Sequence, residues 1–420
     1  MNKRRSHDDP TVVGRLVRPF REFVRLEASG GILLIGCTMV ALAWANAPWA
    51  GSYFQLWHTD PTFGFAGQQL SQPLHFWIND GLMALFFLFV GLEIKREVLV
   101  GELASLQKAA LPIAAALGGM VVPAALYFLF NRGGTGAAGW GIPMATDIAF
   151  ALGVLVLLGD RAPASLKIFL AALAIADDIG AVLVIAFFYT EQISWLHLGM
   201  GGLFFAALIV ANLAGVRLRL VYILLGLGLW YVFWRSGIHP TVAGVLLAST
   251  IPARLRTWRD VGEGATLGSR KSERINTESP MLRFERTLMP WNKYFIMPVF
   301  ALANAGVILD AGAVRSLTNP ITLGVICGLV LGKPIGIVLF SWLAVRSRLA
   351  TMLDGISWRQ IAGVGMLGGI GFTMSLFIAN LAFGPTPGLE LAKVGVLAAS
   401  FISGLAGAIV LLKRRPIGRR

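Results

Sequence analysis

The sequence predicts an all-α polytopic membrane protein of twelve transmembrane helices arranged with inverted repeats. Three observations predict it. Apolar runs of about 20 residues recur along the chain, long enough to cross a hydrocarbon core as helices. Only 14% of the 420 residues are charged and 56% are hydrophobic, whereas roughly 25% of a soluble domain is charged. The basic residues are also sorted by side. Of the 36 lysines and arginines, only Arg132, Arg235, Arg315 and Lys393 fall opposite the rest, with Lys333 inside a span. That asymmetry places both termini in the cytoplasm and calls for an even number of spans. It also accounts for the net charge of +14 without a nucleic-acid partner.

The predicted spans, taken in order, are 27–49, 73–94, 104–130, 141–159, 163–189, 196–215, 219–235, 238–253, 291–311, 321–344, 360–383 and 391–412. They divide the chain into a cytoplasmic N-terminal segment (1–26), a transmembrane half with spans one to eight (27–253), a polar connecting segment (254–290), a second half with spans nine to twelve (291–412) and a basic tail (413–420). The stretch "TVVGRLVRPFREFVRLE" before span one has apolar residues at helical spacing and several arginines. It reads equally as an interfacial helix or as a cytoplasmic lead into the span. The connection after span one carries turn residues and aromatics and suits a small hairpin at the outer surface. No small-x-small site follows the first apolar run closely, so no cleaved signal is expected. Cys37 and Cys327 lie in apolar runs and read as buried small residues without a disulfide framework.

Spans four and eleven are interrupted. Span four, "GIPMATDIAFALGVLVLLG", carries Pro143, Thr146 and Asp147 in its outer half. Span eleven carries Gly363, Gly365, Gly368, Gly369 and Gly371 in its cytoplasmic half. Glycine alone signals close helix packing as readily as unwinding. Clustered with threonine and aspartate near mid-bilayer, it points to discontinuous helices, whose ends offer carbonyls to a cation and amides to an anion. Spans three to five and ten to twelve overlay with opposite orientation, and the second member of each triplet is the interrupted one. This is the pattern of an inverted-repeat secondary transporter.

The spans also hold charge. Asp177 and Asp178 lie about fourteen residues into span five, roughly 21 Å along its axis at 1.5 Å per residue. Lys333 reaches similar depth in span ten, Asp147 is slightly outward of centre, Asp80 is in the outer half of span two, and Glu93 is near that span's inner end. Each buried charge costs about 2.5–3.5 kcal/mol on insertion scales, so these groups are expected to face a polar cavity. Two adjacent carboxylates resist ionising together. Either protons or a small cation relieves the repulsion, and competition between them is the minimum machinery of exchange. There is no Walker loop, HExxH or paired-cysteine signature, and the five histidines are scattered. No cofactor and no enzymatic activity are therefore expected. Composition and topology leave open a channel, a proton-coupled solute symporter and a non-transporting scaffold.

Five strings together, "WINDGLMALFFLFVGLEIKRE", "PMATDIAFALGVLVLLG", "LAIADDIGAVLVIAFFYT", "LGKPIG" and "GGIGFTMSLFI", closely resemble the NhaA sodium/proton antiporters of bacterial inner membranes. The resemblance runs from about Arg25 to about Lys413. It implies twelve helices in an ion-translocating core and a dimer-contact panel, with two discontinuous helices crossing at the middle, and a homodimer embedded in membrane lipid. It implies electrogenic exchange of sodium or lithium for protons, serving pH homeostasis and salt tolerance. By resemblance Asp178 is the principal cation ligand, Asp177 its neighbour that pairs with Lys333, and Thr146 a residue close to the cation. Asp147 compensates helix ends at the crossing, Gly368, Gly369 and Gly371 form the break in span eleven, and Asp80 and Glu93 belong to the ion path. Glu285 and His239 match residues linked to pH response. Where well-studied relatives have two histidines, this chain has Arg286 and Met289. Neither titrates near neutral pH, so the resemblance carries no imidazole-based regulation to those positions.

Overall fold

In the computed structural model, residues 12–65, 68–190, 193–253, 279–353 and 355–412 are described. The expected cytoplasmic segments at 1–26 and 254–290 therefore lie partly, and the tail at 413–420 wholly, outside the described residues. Each of the twelve expected spans falls on helical structure. Span one belongs to a single helix, Val12–Ala45, which also takes in the arginine-bearing stretch before it. The chain then turns by 116° into a short helix, Ala50–Trp57. The hairpin expected in this outer connection is present, with Thr62–Phe65 antiparallel to Gln68–Ser71.

By length and apolar character alone, five helices among the described residues suffice to cross a membrane, or eight when each bent pair counts as one span. The five are Gln107–Asn131, Ala164–Phe188, Trp195–Leu213, Pro320–Arg346 and Pro387–Leu412. Pro320–Arg346 itself passes through a π-helical turn, Gly328–Gly332, just before Lys333; the other expected spans are as follows. Span two is Leu74–Phe76 and Met83–Val100 joined by a π-helical turn, Trp77–Leu82. Pro280–Trp291 leads into span nine, which is another such turn, Asn292–Ile296, followed by Met297–Asn304. Span seven is Arg219–Ser236. Span eight is only the nine residues Val242–Thr250, shorter than its expected 238–253; His239 and Pro240, in "GIHP", keep the chain from starting its helix earlier. Large apolar side chains such as Phe187, Trp195, Leu203, Leu213 and Phe401 point outward, while the buried set includes Asp, Lys, Asn and Thr. Apolar side chains outside and charged ones within the core suit a lipid surround.

Two groups of helices result. Span three packs along span ten so closely that a Cβ on Gly118 or Gly336 would run into the other's carbonyl. Spans five, eleven and twelve join this pair, as does the broken span four. Spans two, six, seven and eight form the second group around Leu92, Leu208, Tyr222, Leu229 and Phe233. The groups meet where span two lies against span five, and spans one and nine bridge them, span one packing on spans four and nine and span nine on span two. Both interrupted spans are indeed bent: Thr135–Met144 meets Ile148–Leu157 at 43°, and Trp358–Gly368 meets Phe372–Phe383 at 47°.

Candidate functional site

The two breaks lie against each other. Ala145, Thr146 and Asp147 are extended between the halves of span four, and Gly369 to Gly371 separate the halves of span eleven. The breaks are stitched by their own backbone. The Asp147 amide donates to the Ile370 carbonyl at 2.7 Å, and the Thr146 hydroxyl donates to the Gly368 carbonyl at 2.9 Å. Gly369 has no room for a side chain, since a Cβ there would overlap the Leu329 carbonyl and press on Ser403 Oγ.

Asp147 serves two helix N-termini at once. Its Oδ1 accepts from the Phe150 amide at 3.0 Å, capping the inner half of span four. Its Oδ2 accepts from the Thr373 amide at 3.1 Å and the Thr373 hydroxyl at 2.5 Å, at the start of the outer half of span eleven. Unpaired amides and the positive end of each helix dipole favour a carboxylate there. The opposite charge is met the same way. Lys333 donates to the Met144 carbonyl, at the end of the outer half of span four, and to Asp177 Oδ2 at 2.5 Å. Lys333 is 0% exposed, Asp147 and Asp177 1% and Asp178 4%.

The pair is therefore unequal. Asp177 holds an ammonium on one oxygen, while its Oδ1 and the Oδ1 of Asp178 are buried without a hydrogen-bond partner among the described residues. Asp178 has Asp177, Glu93 and Asp147 as its electrostatic neighbours, with Lys333 acting on it in the opposite sense. Carboxylate oxygens buried in this state are expensive unless something positive meets them. Thr146 lies beside Asp177. Asp177, Asp178, Thr146, Asp147, Lys333 and Gly368 thus come together. Among the described residues no three His, Cys, Asp or Glu side chains converge into a metal cluster, so any cation here would draw on hydroxyl and carbonyl oxygens beside the carboxylates.

The other expected residues stand apart from this centre. Asp80, on the π-helical turn of span two, pairs with His239 Nε2 at 3.2 Å. His239 Nδ1 contacts the Thr241 hydroxyl at 2.8 Å, and its ring meets Phe377 edge-on. Glu93 is buried at the other end of span two, 3.5 Å from Arg96. Arg96 also contacts Glu97 at 3.4 Å and reaches Glu285, tying span two to the helix that leads into span nine. Burial holds the Glu285 carboxyl above its usual range, and Arg96 beside it draws it back. The two residues associated by resemblance with pH response, His239 and Glu285, therefore belong to different networks at opposite ends of span two.

Two features escaped the sequence reading. One is an amide network on the outer side, where Asn304 at the end of span nine exchanges hydrogen bonds with Asn79 (2.9 and 3.3 Å) and accepts from Asn380 of span eleven at 3.0 Å. His75 completes it at 3.2 Å from Asn304. The signal was a lone asparagine at the outer end of each of three apolar runs. The other is Lys293, which counts as a cytoplasmic basic residue by sequence but is buried in span nine's π-helical turn.

Two broken helices crossing over buried, charge-compensated carboxylates, inside a helical membrane protein, define a secondary transporter rather than an enzyme. Residues 21–411 match the family described as Na+/H+ antiporter 1, and the chain belongs to that family. Among curated relatives, the "Na(+)/H(+) antiporter NhaA" of Oleidesulfovibrio alaskensis is 49% identical, covering 96% of this chain and 95% of its own. The protein of the same name from Koribacter versatilis is 51% identical, covering 96% and 93%. "Na(+)/H(+) antiporter NhaA 2" of Syntrophotalea carbinolica is 48% identical, covering 96% and 98%.

Proposed function

We propose that the chain expels sodium, or lithium, in electrogenic exchange for protons, both competing for Asp177 and Asp178. The observation that carries this reading is the inequality of the pair. Lys333 neutralises Asp177, which leaves the neighbouring carboxylate as the group that must find a cation or a proton. A cation arriving from the cytoplasm past Glu93 meets Asp178 and draws Asp177 away from Lys333. Asp178 gives up its proton and Lys333, released from Asp177, gives up one from its ammonium, so that the two carboxylates hold one sodium in place of two protons. Motion of the group built on spans three to five and ten to twelve against the other exposes the site to the outside. Sodium leaves, protons return, and Asp177 pairs with Lys333 again. Asp147 keeps the crossing intact throughout by holding both helix N-termini. More protons than sodium ions move per cycle, so exchange carries net charge.

No cofactor is required by this scheme. The protein acts in the bacterial inner membrane with both termini cytoplasmic, as a homodimer in lipid, with 27–253 and 291–412 as its two transmembrane halves. His239 and Glu285 shape the pH response, through Asp80 and Arg96 respectively. The test is sodium-dependent dissipation of an imposed proton gradient in proteoliposomes. The Asp178→Asn variant, equal in size but uncharged, is expected to lose exchange. Wild-type exchange in that variant would refute the assignment.

A further inference from the structure

A pocket of about 40 Å³ lies on the cytoplasmic side between spans one, two, four and nine. It is lined by Gly30, Glu93, Ala149, Asn292 and Lys293, among others, and it reaches from Glu93 to within two residues of Asp147 along span four. Glu93 and Lys293 are the charged residues in its lining. Lys293 is 8% exposed, and its Nζ has no hydrogen-bond partner among the described residues. What the ammonium does face is the ring of Tyr294, at 4.9 Å from the centroid. Span one gives way for the side chain: a Cβ at Gly30 would sit 2.8 Å from Lys293 Cγ and 3.0 Å from its Cε.

An ammonium buried without an anion is costly, and the nearby carboxylates are already engaged. Arg96 holds Glu285, Glu97 and Glu93, and Lys333 holds Asp177. Lys95 of span two donates instead to the Ser249 and Ile251 carbonyls. We propose that Lys293 acts as a tethered cation in the cytoplasmic pocket, opposing the transported cation there and setting the sodium concentration at which the inward-facing site fills. A fixed positive charge between low-dielectric walls repels a mobile one over the whole pocket. The stem is held by Gly30, so the charge cannot simply swing out to water. This inference rests on the proposed exchange of sodium for protons, and it assigns Lys293 an effect on affinity rather than a part in the exchange itself.

The experiment measures exchange in proteoliposomes as a function of sodium on the cytoplasmic face, for full-length wild type, Lys293→Met, Lys293→Gln and Lys293→Arg. Removing the charge is expected to lower the KM for sodium by roughly threefold to tenfold with the maximal rate kept, and Lys293→Arg is expected to keep the wild-type KM. An unchanged KM in both neutral variants overturns the proposal, as does an equal shift in all three variants, which would report packing and not charge. If neither neutral variant folds, Lys293→Cys decides: it should lower the KM, and restoring the charge with an aminoethyl methanethiosulfonate should raise it again, whereas a KM that the restored charge does not move counts against the proposal. Absence of sodium-dependent exchange in wild type would instead strike the underlying functional reading.

Discussion

Asp147→Ala should be the most damaging single change at the crossing that leaves the Asp177–Asp178 pair intact. The carboxylate accepts three hydrogen bonds: from the Phe150 amide at 3.0 Å, the Thr373 amide at 3.1 Å and the Thr373 hydroxyl at 2.5 Å. The hydroxyl can rotate to another acceptor. The two amides cannot, because each is at a helix N-terminus and fixed by its own backbone. A buried donor left unmet costs about 1–3 kcal/mol, and each helix loses a favourable charge worth about 0.3–1 kcal/mol or more at its positive end. The sum is about 3–8 kcal/mol for alanine. Asp147→Asn keeps one acceptor oxygen but presents an NH2 to the other helix, so about half that loss is expected. Thr373→Val removes the hydroxyl alone and should cost about 1 kcal/mol. The assay is denaturation of the purified protein in detergent, followed by helical signal, with Asp147→Asn and Thr373→Val combined in a double-mutant cycle. Alanine costing less than about 1 kcal/mol, or strict additivity of the two changes, would refute the view that one carboxylate serves both half-helices.

Lys333→Met should cost about 3–5 kcal/mol by leaving Asp177 buried without its cation, and adding Asp177→Asn should recover part of that loss in the same assay, although neither variant is expected to exchange ions. Asn304→Ala opens the outer amide network and leaves Asn79, Asn380 and His75 short of partners; a stability loss of about 1–3 kcal/mol is expected, with Asn380→Ala costing less because that side chain also donates to the Leu376 carbonyl. For Glu285 the folded carboxyl takes up a proton at higher pH than the unfolded one. Its contribution to stability is therefore complete below the ordinary glutamate range and is lost as pH rises through the folded value. Stability measured across that interval should fall less steeply in Glu285→Gln, and identical slopes would show that the carboxyl is not held up by burial.

The places where the chain breaks were legible because glycine, proline, threonine and aspartate interrupt otherwise apolar runs, and a helix in lipid tolerates this only where protein re-satisfies the backbone. Thr146 and Asp147 fall in the extended segment of span four, and Gly369 and Gly371 in the break of span eleven. Depth was legible too, since 1.5 Å per residue puts Asp177 and Lys333 at the same level. Span eight and span nine were read less well. A nine-residue helix and a π-helical turn depend on neighbours that periodicity does not report. Lys293 shows the limit most sharply, because a lysine two residues past a predicted boundary looks like any interfacial lysine.

The sequence by itself determined how many apolar segments there are, how the basic residues sort between the two sets of loops, where the helices break and which charges fall inside apolar runs. These follow from hydrophobicity, residue geometry and the cost of burying charge, all of which act locally along the chain. Only the tertiary structure decided that Lys333 takes Asp177 and leaves Asp178, that Asp147 caps a helix 226 residues away as well as its own, and that three asparagines and a histidine from spans two, nine and eleven share one network. A buried polar group is satisfied by whatever partner folding brings within about 3 Å, and that partner's distance along the chain leaves no periodic trace.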